Sequence, residues 1–197
     1  MLPRVSVFSL GGTIAMGATA PGKGVSLSHS AEMLIAAVPA LAEIAEIEAH
    51  SFRQLPSPDI TLDDLEALVR EINRRLEDGV RGIVVTQGTD TIEESAFVID
   101  RLVQHDAPIV FTGAMRNPTM PGPDGPANLY HAALVALDGQ ARGIGTLVVM
   151  NDEIHAARYV QKLHTTSPAA FQSSPAGALG WIIEKQARIV TRPAGRY

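Results

Sequence analysis

Two segments of the sequence place hydroxyl groups immediately after runs of apolar residues. In SLGGTIAMG, Thr13 follows a pair of glycines, and in VVTQGTDT a β-branched run leads into Thr89 and Asp90. A hydroxyl and a carboxylate that emerge together beside the free N–H groups of a helix terminus can hold an amino-acid-like ligand, whose ammonium group pairs with the carboxylate. The residue types in these two segments therefore suit a small-molecule site.

Thr13 taken alone allows other interpretations. The segment could cradle a phosphate, but its glycine spacing matches neither GxGxxG nor the P-loop, which also needs a Lys beside Ser or Thr. The two glycines could instead form a sharp turn above a packed β-branched residue. Thr13 is therefore a candidate only in combination with the second segment.

The second segment also has a structural interpretation. Thr91 and Glu94 have the spacing of a capping box, and Asp90 near a helix N-terminus is stabilised by the helix dipole. Capping explains Thr91 and Glu94 but does not require Thr89. From the residues alone, both the capping interpretation and the ligand interpretation of this segment stay open.

Lys162 is a further candidate, in the mixed polar stretch EIHAARYVQKLHTT that follows a third apolar run. A lysine in such a stretch is usually just solvated. If it is partly desolvated beside a carboxylate, its amine can take a proton from a neighbouring threonine hydroxyl. That arrangement would join Thr89, Asp90 and Lys162 into one unit.

Four apolar runs of strand length predict the elements that carry these residues, and they lie at 5–10, 82–86, 108–112 and 146–150. Most of them are rich in β-branched residues and do not alternate with polar residues, which is typical of buried parallel strands.

Helical patterns separate the strands, and they lie at 30–44, 61–79, 91–106 and 125–139. The first should end before Pro39, and the second begins at a Thr61 cap and stops at Gly79. Alternating strands and helices predict an α/β layered fold, with a largely parallel central sheet flanked by helices. In such folds ligands bind at the carboxyl ends of the strands.

The composition limits the possible functions. With 197 residues, 46% of them hydrophobic, the chain has material for one sizeable core, so one domain is predicted. A net charge of −5 argues against nucleic acid and against an anionic membrane as partners. The absence of cysteine excludes disulfides and a thiol nucleophile. The N-terminus lacks the basic leader and long apolar region of a signal peptide, and the cytoplasm is the predicted location.

Five motifs in order make the sequence resemble the bacterial-type L-asparaginase family, the two-threonine amidohydrolases that include the glutaminase-asparaginases. SLGGTIAMG is similar to the family's first threonine motif, and VVTQGTDTIEESAFVID is similar to its second, usually HGTDT followed by a helix. FTGAMRNP, DGPANLYHA and VVMND then follow in the family's order, with Lys162 after the last. The likeness extends over nearly all 197 residues.

The resemblance implies a reaction and a set of site residues. Thr13 would be the nucleophile that attacks the side-chain amide of L-asparagine, with L-glutamine as a second candidate substrate. Thr89, Asp90 and Lys162 would form the proton-handling group, and Thr91 would cap the helix. The substrate-binding residues implied are Ser57, Pro58, Gly88, Asp90 and Ala114. Neither a metal nor another cofactor is expected, and the six histidines show no spacing typical of a metal site.

The resemblance also predicts the organisation of the protein. Residues 1–197 would form the family's N-terminal catalytic domain without its smaller C-terminal domain, and the protein would be a homo-oligomer, either a dimer or a tetramer. Three features depart from the family's pattern. Gln87 replaces the His of HGTDT, Pro58 stands where the family often has Gln, and the loop 18–28 lacks the lid tyrosine that many relatives carry.

Three functions compete for these residues. An amidohydrolase that releases ammonia from L-asparagine uses all of Thr13, Thr89, Asp90 and Lys162. A catalytically weak module that binds or senses amino acids would retain the pocket without turnover. A purely structural oligomerisation domain leaves the four residues unexplained as a group. The amidohydrolase is therefore the leading hypothesis.

Overall fold

A sheet of eight strands forms the centre of the computed structural model, which describes residues 1–18, 25–27 and 29–195. Two small two-stranded sheets accompany it. The strands in chain order are β1 (Arg4–Ser9), β2 (Met16–Ala18), β3 (Val25–Leu27), β4 (Glu46–Ser51), β5 (Gly82–Thr86), β6 (Ile109–Thr112), β7 (Thr146–Met150), β8 (Glu153–Ala156), β9 (Gln161–Lys162), β10 (Phe171–Gln172), β11 (Gly180–Ile183) and β12 (Gln186–Ile189).

Among the described residues, five α-helices and four short 3₁₀ turns connect the strands. The helices are α1 (Ala31–Ala36), α2 (Leu41–Ile44), α3 (Leu62–Glu77), α4 (Ile92–Leu102) and α5 (Gly125–Leu137). The 3₁₀ turns are Thr13–Ala15, Ser57–Asp59, Thr89–Thr91 and Gly139–Ala141. None of the helices within the described ranges has the length and apolar character that crossing a membrane would require.

The strand order in the large sheet is β12-β11-β8-β7-β6-β5-β1-β4. The five strands from β4 to β7 pair in parallel, and β8, β11 and β12 extend the sheet in antiparallel fashion. This arrangement confirms the predicted α/β fold with a largely parallel sheet, and the four predicted strands are all present.

Alternate side chains of the central strands enter two separate cores, one on each face of the sheet. In β6, Val110 belongs to the core that α1, α2 and α5 cover, whereas Ile109 and Phe111 belong to the core that α3 and α4 cover. Both faces are thus buried, which explains why apolar residues predominate in these strands.

The boundaries of α1 and α3 follow the local signals in the sequence. The hydroxyl of Thr61 accepts a hydrogen bond from the Asp64 N–H, and the Asp64 carboxylate accepts one from the Thr61 N–H, which forms a capping box at the start of α3. The helix ends just before Gly79, whose φ of 85° lies in the left-handed region. α1 ends at Ala36, ahead of Pro39, as predicted.

The topology creates a crevice at the carboxyl ends of β1 and β5. After β1 the chain crosses to β4 on one side, whereas after β5 it crosses to β6 on the other side. Neighbouring strands whose connections leave in opposite directions open a ligand crevice between them. The loop that contains Thr13 follows β1, and the loop that contains Thr89 and Asp90 follows β5.

Candidate active site

The loops after β1 and β5 touch through their glycines. Gly12 has a φ of 84°, and a methyl group on its Cα would lie 2.2 Å from the Cα of Gly88. Only glycine allows both this backbone conformation and this close approach. Thr13 follows Gly12 directly, begins a 3₁₀ turn and is half-buried, so its position is set by the contact between the two loops.

The loop after β4 brings Ser57 to the same place. A methyl group on Gly88 would lie 3.0 Å from the Oγ of Ser57, and the Ser57 side chain is buried. The carbonyl oxygen of Ser57 accepts a hydrogen bond of 2.9 Å from the Thr91 hydroxyl. Pro58 is next in the chain and is exposed.

The loop after β6 closes the arrangement on the other side. A methyl group on Gly113 would lie 2.6 Å from the carbonyl oxygen of Gln87 and 3.1 Å from the Cγ2 of Thr89. Ala114 follows and is buried. The ends of β1, β4, β5 and β6 therefore converge, and they carry Thr13, Ser57, Gly88, Thr89 and Ala114.

Lys162 reaches this cluster from a distant part of the chain. It lies in the small β9–β10 hairpin, where it is the register partner of Phe171. Its Nζ donates a hydrogen bond of 2.9 Å to the Oγ1 of Thr89 and another of 2.5 Å to the Oδ1 of Asp90. The structure thus brings together the three side chains that the sequence hypothesis joined into one unit.

Lys162, Thr89 and Asp90 differ in their exposure to solvent. The side chain of Lys162 is 13% exposed and Thr89 is 7% exposed, whereas the carboxylate side chain of Asp90 is 68% exposed. An ionised carboxylate can accept several hydrogen bonds, so Asp90 can bind Lys162 and still receive a donor from a ligand. The ammonium of Lys162 meanwhile stays close to a buried hydroxyl.

The prediction that Thr91 and Glu94 form a capping box is wrong. The Thr91 side chain caps no N–H group of α4, because its hydroxyl donates to the Ser57 carbonyl and accepts a 3.1 Å hydrogen bond from the Nε2 of Gln87. A 3₁₀ turn at Thr89–Thr91 leads into the helix and gives Thr91 a ψ of 24°, outside the extended backbone typical of a capping residue. Thr91 therefore links two loops of the site.

Two residues that the sequence analysis did not assign to the site hold other site residues in place. Gln87 is fully buried and holds Thr91. Glu93, in the first turn of α4, accepts a hydrogen bond of 2.5 Å from the backbone N–H of Lys162. The sequence signal for Glu93 was its place among the acidic residues of a first turn, which indicates a favourable dipole interaction and no distant partner.

Two further observations concern metal-binding side chains and the loop 18–28. Within residues 1–18, 25–27 and 29–195, no group of three or more His, Asp or Glu side chains is arranged to hold a metal ion. The loop 18–28, where the sequence lacks the lid tyrosine, falls largely on residues 19–24 and 28, which lie outside the described residues.

The cluster has the parts needed for attack on a carbonyl. Thr13 supplies a hydroxyl at a glycine turn, and Thr89 with Lys162 supplies a second hydroxyl in contact with an amine. Asp90 supplies a carboxylate that solvent and ligands can reach. A nucleophile, a group that moves protons and a fixed charge for orienting the substrate are the general requirements of covalent amide hydrolysis.

Comparisons with known proteins identify the family of the chain. The family model "Asparaginase, N-terminal" matches residues 4–195. L-asparaginase 2 of Bacillus subtilis (strain 168) is 42% identical over 189 residues, which cover 93% of this chain and 50% of that protein. Glutaminase-asparaginase of Pseudomonas fluorescens biotype A is 38% identical over 206 residues, which cover 100% of this chain and 55% of that protein.

A solved structure gives the same result for the fold. The crystal structure of a probable cytoplasmic L-asparaginase from Campylobacter jejuni superposes with a TM-score of 0.89 at 32% identity, over 96% of this chain and 57% of the other. The chain spans about half the length of the curated relatives it matches. Since the family model matches nearly the whole sequence, the chain belongs to the asparaginase family and corresponds to the N-terminal part of its members.

Proposed function

We propose that this protein hydrolyses the side-chain amide of L-asparagine to L-aspartate and ammonia, with Thr13 as the nucleophile. The observation that carries the proposal is the contact of Lys162 Nζ with both Thr89 Oγ1 and Asp90 Oδ1, beside the glycine turn that presents Thr13. Family membership supports it, because the similar proteins named above are asparaginases and a glutaminase-asparaginase. L-Glutamine is proposed as a second substrate.

The proposed first step forms a bond between the Oγ of Thr13 and the amide carbon of the substrate. The hydroxyl proton leaves Thr13, and the departing nitrogen gains a proton before it is released as ammonia. Thr89 and Lys162 are proposed to carry these protons, since the amine and the hydroxyl are already in hydrogen-bond contact. Water then attacks the ester carbon and releases L-aspartate, and the hydroxyl of Thr13 is restored.

The substrate is proposed to lie across the converging strand ends. The exposed carboxylate of Asp90 would accept hydrogen bonds from the substrate's ammonium group, a charge-assisted contact that also fixes orientation. Ser57, Gly88 and Ala114 would line the pocket, because the loops that carry them meet there. Pro58 would contribute only its ring and its carbonyl, since proline has no N–H group.

Four broader expectations are part of the same proposal. Residues 1–197 are proposed to be an asparaginase-type catalytic domain, and the assembly is proposed to be a dimer or a tetramer, which sedimentation analysis would test. The reaction as written uses no metal and no other cofactor. A cytoplasmic location stays a prediction, in line with the description of the Campylobacter jejuni structure.

The test of the proposal is ammonia release from L-asparagine by the purified protein and by two variants, Thr13→Ala and Thr89→Val. Each variant should lose at least about 100-fold in kcat, the scale of losing a nucleophile or a proton-transfer group. Thr119→Ala is the matched control, because Thr119 is an exposed threonine in the loop between β6 and α5, and its activity should equal that of wild type.

Two results would contradict the proposal. Near-native turnover in Thr13→Ala would mean that Thr13 is structural. Binding of L-aspartate measured by calorimetry, without any ammonia release by wild type, would favour a module that binds amino acids over an enzyme.

A further inference from the structure

The β9–β10 hairpin that carries Lys162 is too small to hold itself in place. Each strand has two residues, and within the described part of the chain the hairpin forms a sheet separate from the central one. Isolated two-stranded hairpins are marginal in water even when they are longer. The position of Lys162 must therefore be fixed by contacts outside the hairpin.

The backbone of Lys162 has such a contact. The next residue, Leu163, directs its N–H to the carbonyl of Ala170 across the hairpin. Because N–H groups alternate in direction along a strand, the N–H of Lys162 points to the outer edge. There it donates to the Oε2 of Glu93 at 2.5 Å, which joins the hairpin to the first turn of α4.

Residues 89–93 thus bind both ends of Lys162. Thr89 and Asp90 receive its ammonium group, and Glu93 receives its backbone N–H. A lysine side chain has four rotatable carbon–carbon bonds, and an anchored backbone greatly restricts the region that its tip can visit. Hydrogen bonds to an ionised carboxylate are stronger than neutral ones, which suits an anchor.

We propose that Glu93 is a positioning residue, which fixes the backbone of Lys162 and so determines where its amine meets Thr89 and Asp90. The inference rests on the proposed role of Lys162 in proton transfer. Glu93 itself has no role in the reaction as written, and it acts only through Lys162. Misplacement of a reacting group by about 1 Å can lower a rate by about 100-fold.

The experiment compares Glu93→Ala, Glu93→Gln and Glu94→Ala. The Gln side chain retains an oxygen that can accept the N–H of Lys162. Glu94 is the matched control, because it lies in the same helical turn, is exposed and forms no side-chain hydrogen bond or ion pair with any described residue. Steady-state kcat and KM for L-asparagine are measured for each variant.

A second readout does not depend on turnover. The rate at which acetic anhydride acetylates Lys162 is measured by peptide mass spectrometry, with the exposed Lys185 as the internal reference. In Glu93→Ala we expect kcat to fall about 10- to 100-fold with KM changed less than about 3-fold, and we expect Lys162 to react faster than in wild type. Glu93→Gln should recover most of both properties, and Glu94→Ala should equal wild type.

Two outcomes would overturn the inference. One is an unchanged acetylation rate of Lys162 in Glu93→Ala, and the other is an equal loss in Glu94→Ala, which would indicate the charge of the helix turn in place of a specific anchor. If wild type released no ammonia, faster acetylation in Glu93→Ala would still support the positioning role, and only the proposed hydrolysis would fail.

Discussion

Replacement of Lys162 by methionine separates the proposed catalytic role of this residue from its role in stability. The change removes the donor to Thr89 and Asp90 while keeping an unbranched side chain of similar length. Asp90 is 68% exposed, so the lost ion pair is largely solvated and contributes about 1 kcal/mol or less. For a chain of this size, 1 kcal/mol corresponds to a Tm shift of about 2–4 °C.

The expected effect on turnover is much larger. Loss of a positioned proton-transfer group lowers kcat by about 100- to 10,000-fold, which corresponds to about 3–5 kcal/mol in the activation barrier. A second variant, Lys162→Arg, retains the positive charge, but a guanidinium cannot release its proton near neutral pH. If proton transfer is the role of Lys162, Lys162→Arg should also be inactive.

The assay follows ammonia release at saturating L-asparagine, together with thermal unfolding of each variant. Lys185→Met is the matched control, since Lys185 is exposed at the turn between β11 and β12, and its kcat should be unchanged. Retention of more than about a tenth of wild-type kcat by Lys162→Met would refute the proton-transfer role. A fall in Tm of more than about 10 °C would show that the stability reasoning is wrong.

Three further predictions concern binding, the frame of the site and pH. Asp90→Asn should weaken L-aspartate binding in calorimetry at least about 10-fold with little change in Tm, because a charge pair with the ligand is lost; unchanged binding would contradict this. Thr91→Val should raise KM through loss of the link to Ser57, whereas Thr91→Ser should restore it; equal KM values would count against the link. Burial lowers the pKa of His155. Its Nδ1 lies 3.0 Å from Ser173 Oγ, and its Nε2 lies 3.3 Å from Glu153 Oε2. The unfolded chain therefore binds this proton at a higher pH than the folded chain does. The contribution of His155 to the free energy of unfolding, measured in urea, should be fully present above about pH 6.5 and be lost at lower pH. The loss of stability at lower pH should be smaller in His155→Gln.

Elements with local signals were predictable from the sequence. α3 begins at the Thr61 cap and ends before Gly79, because the partners of these residues lie within one helical turn of them. The apolar runs of β1, β5, β6 and β7 likewise predicted strands, since a parallel sheet buried on both faces favours apolar residues at most positions. The convergence of their carboxyl ends then followed from the fold class.

Thr91 shows why the same kind of local signal failed once. Its spacing from Glu94 is that of a capping box, but its hydroxyl has a partner 34 residues earlier in the chain, at the carbonyl of Ser57. A capping hydroxyl must accept a hydrogen bond from a helix N–H, whereas the hydroxyl of Thr91 is oriented toward Ser57 and accepts from Gln87 Nε2, so tertiary partners replace the local one. The sequence pattern contains no information on which partner is closer in the fold.

The contacts that hold Lys162 could not be predicted from local sequence patterns, for a related reason. Thr89 lies 73 residues before Lys162, and Glu93 lies 69 residues before it. Motif order could indicate that Lys162 belongs with Thr89 and Asp90, because these are groups with reactive chemistry. It could not indicate Glu93, whose contribution is a contact with the backbone, and every residue except proline offers the same backbone donor.

A motif-based description of such a site misses residues of one kind, those that contact the backbone of a reacting residue. A side chain that reacts is recognisable by its type, whereas a side chain that holds the backbone of the reacting residue is recognisable only by its position. In this protein Phe171 of the β9–β10 hairpin is packed in the core, and the contact with Glu93 adds a second attachment at the outer edge, at Lys162 itself. The acidic residue in the first turn of α4 is suited to it, because a carboxylate is a strong acceptor of hydrogen bonds from backbone N–H groups.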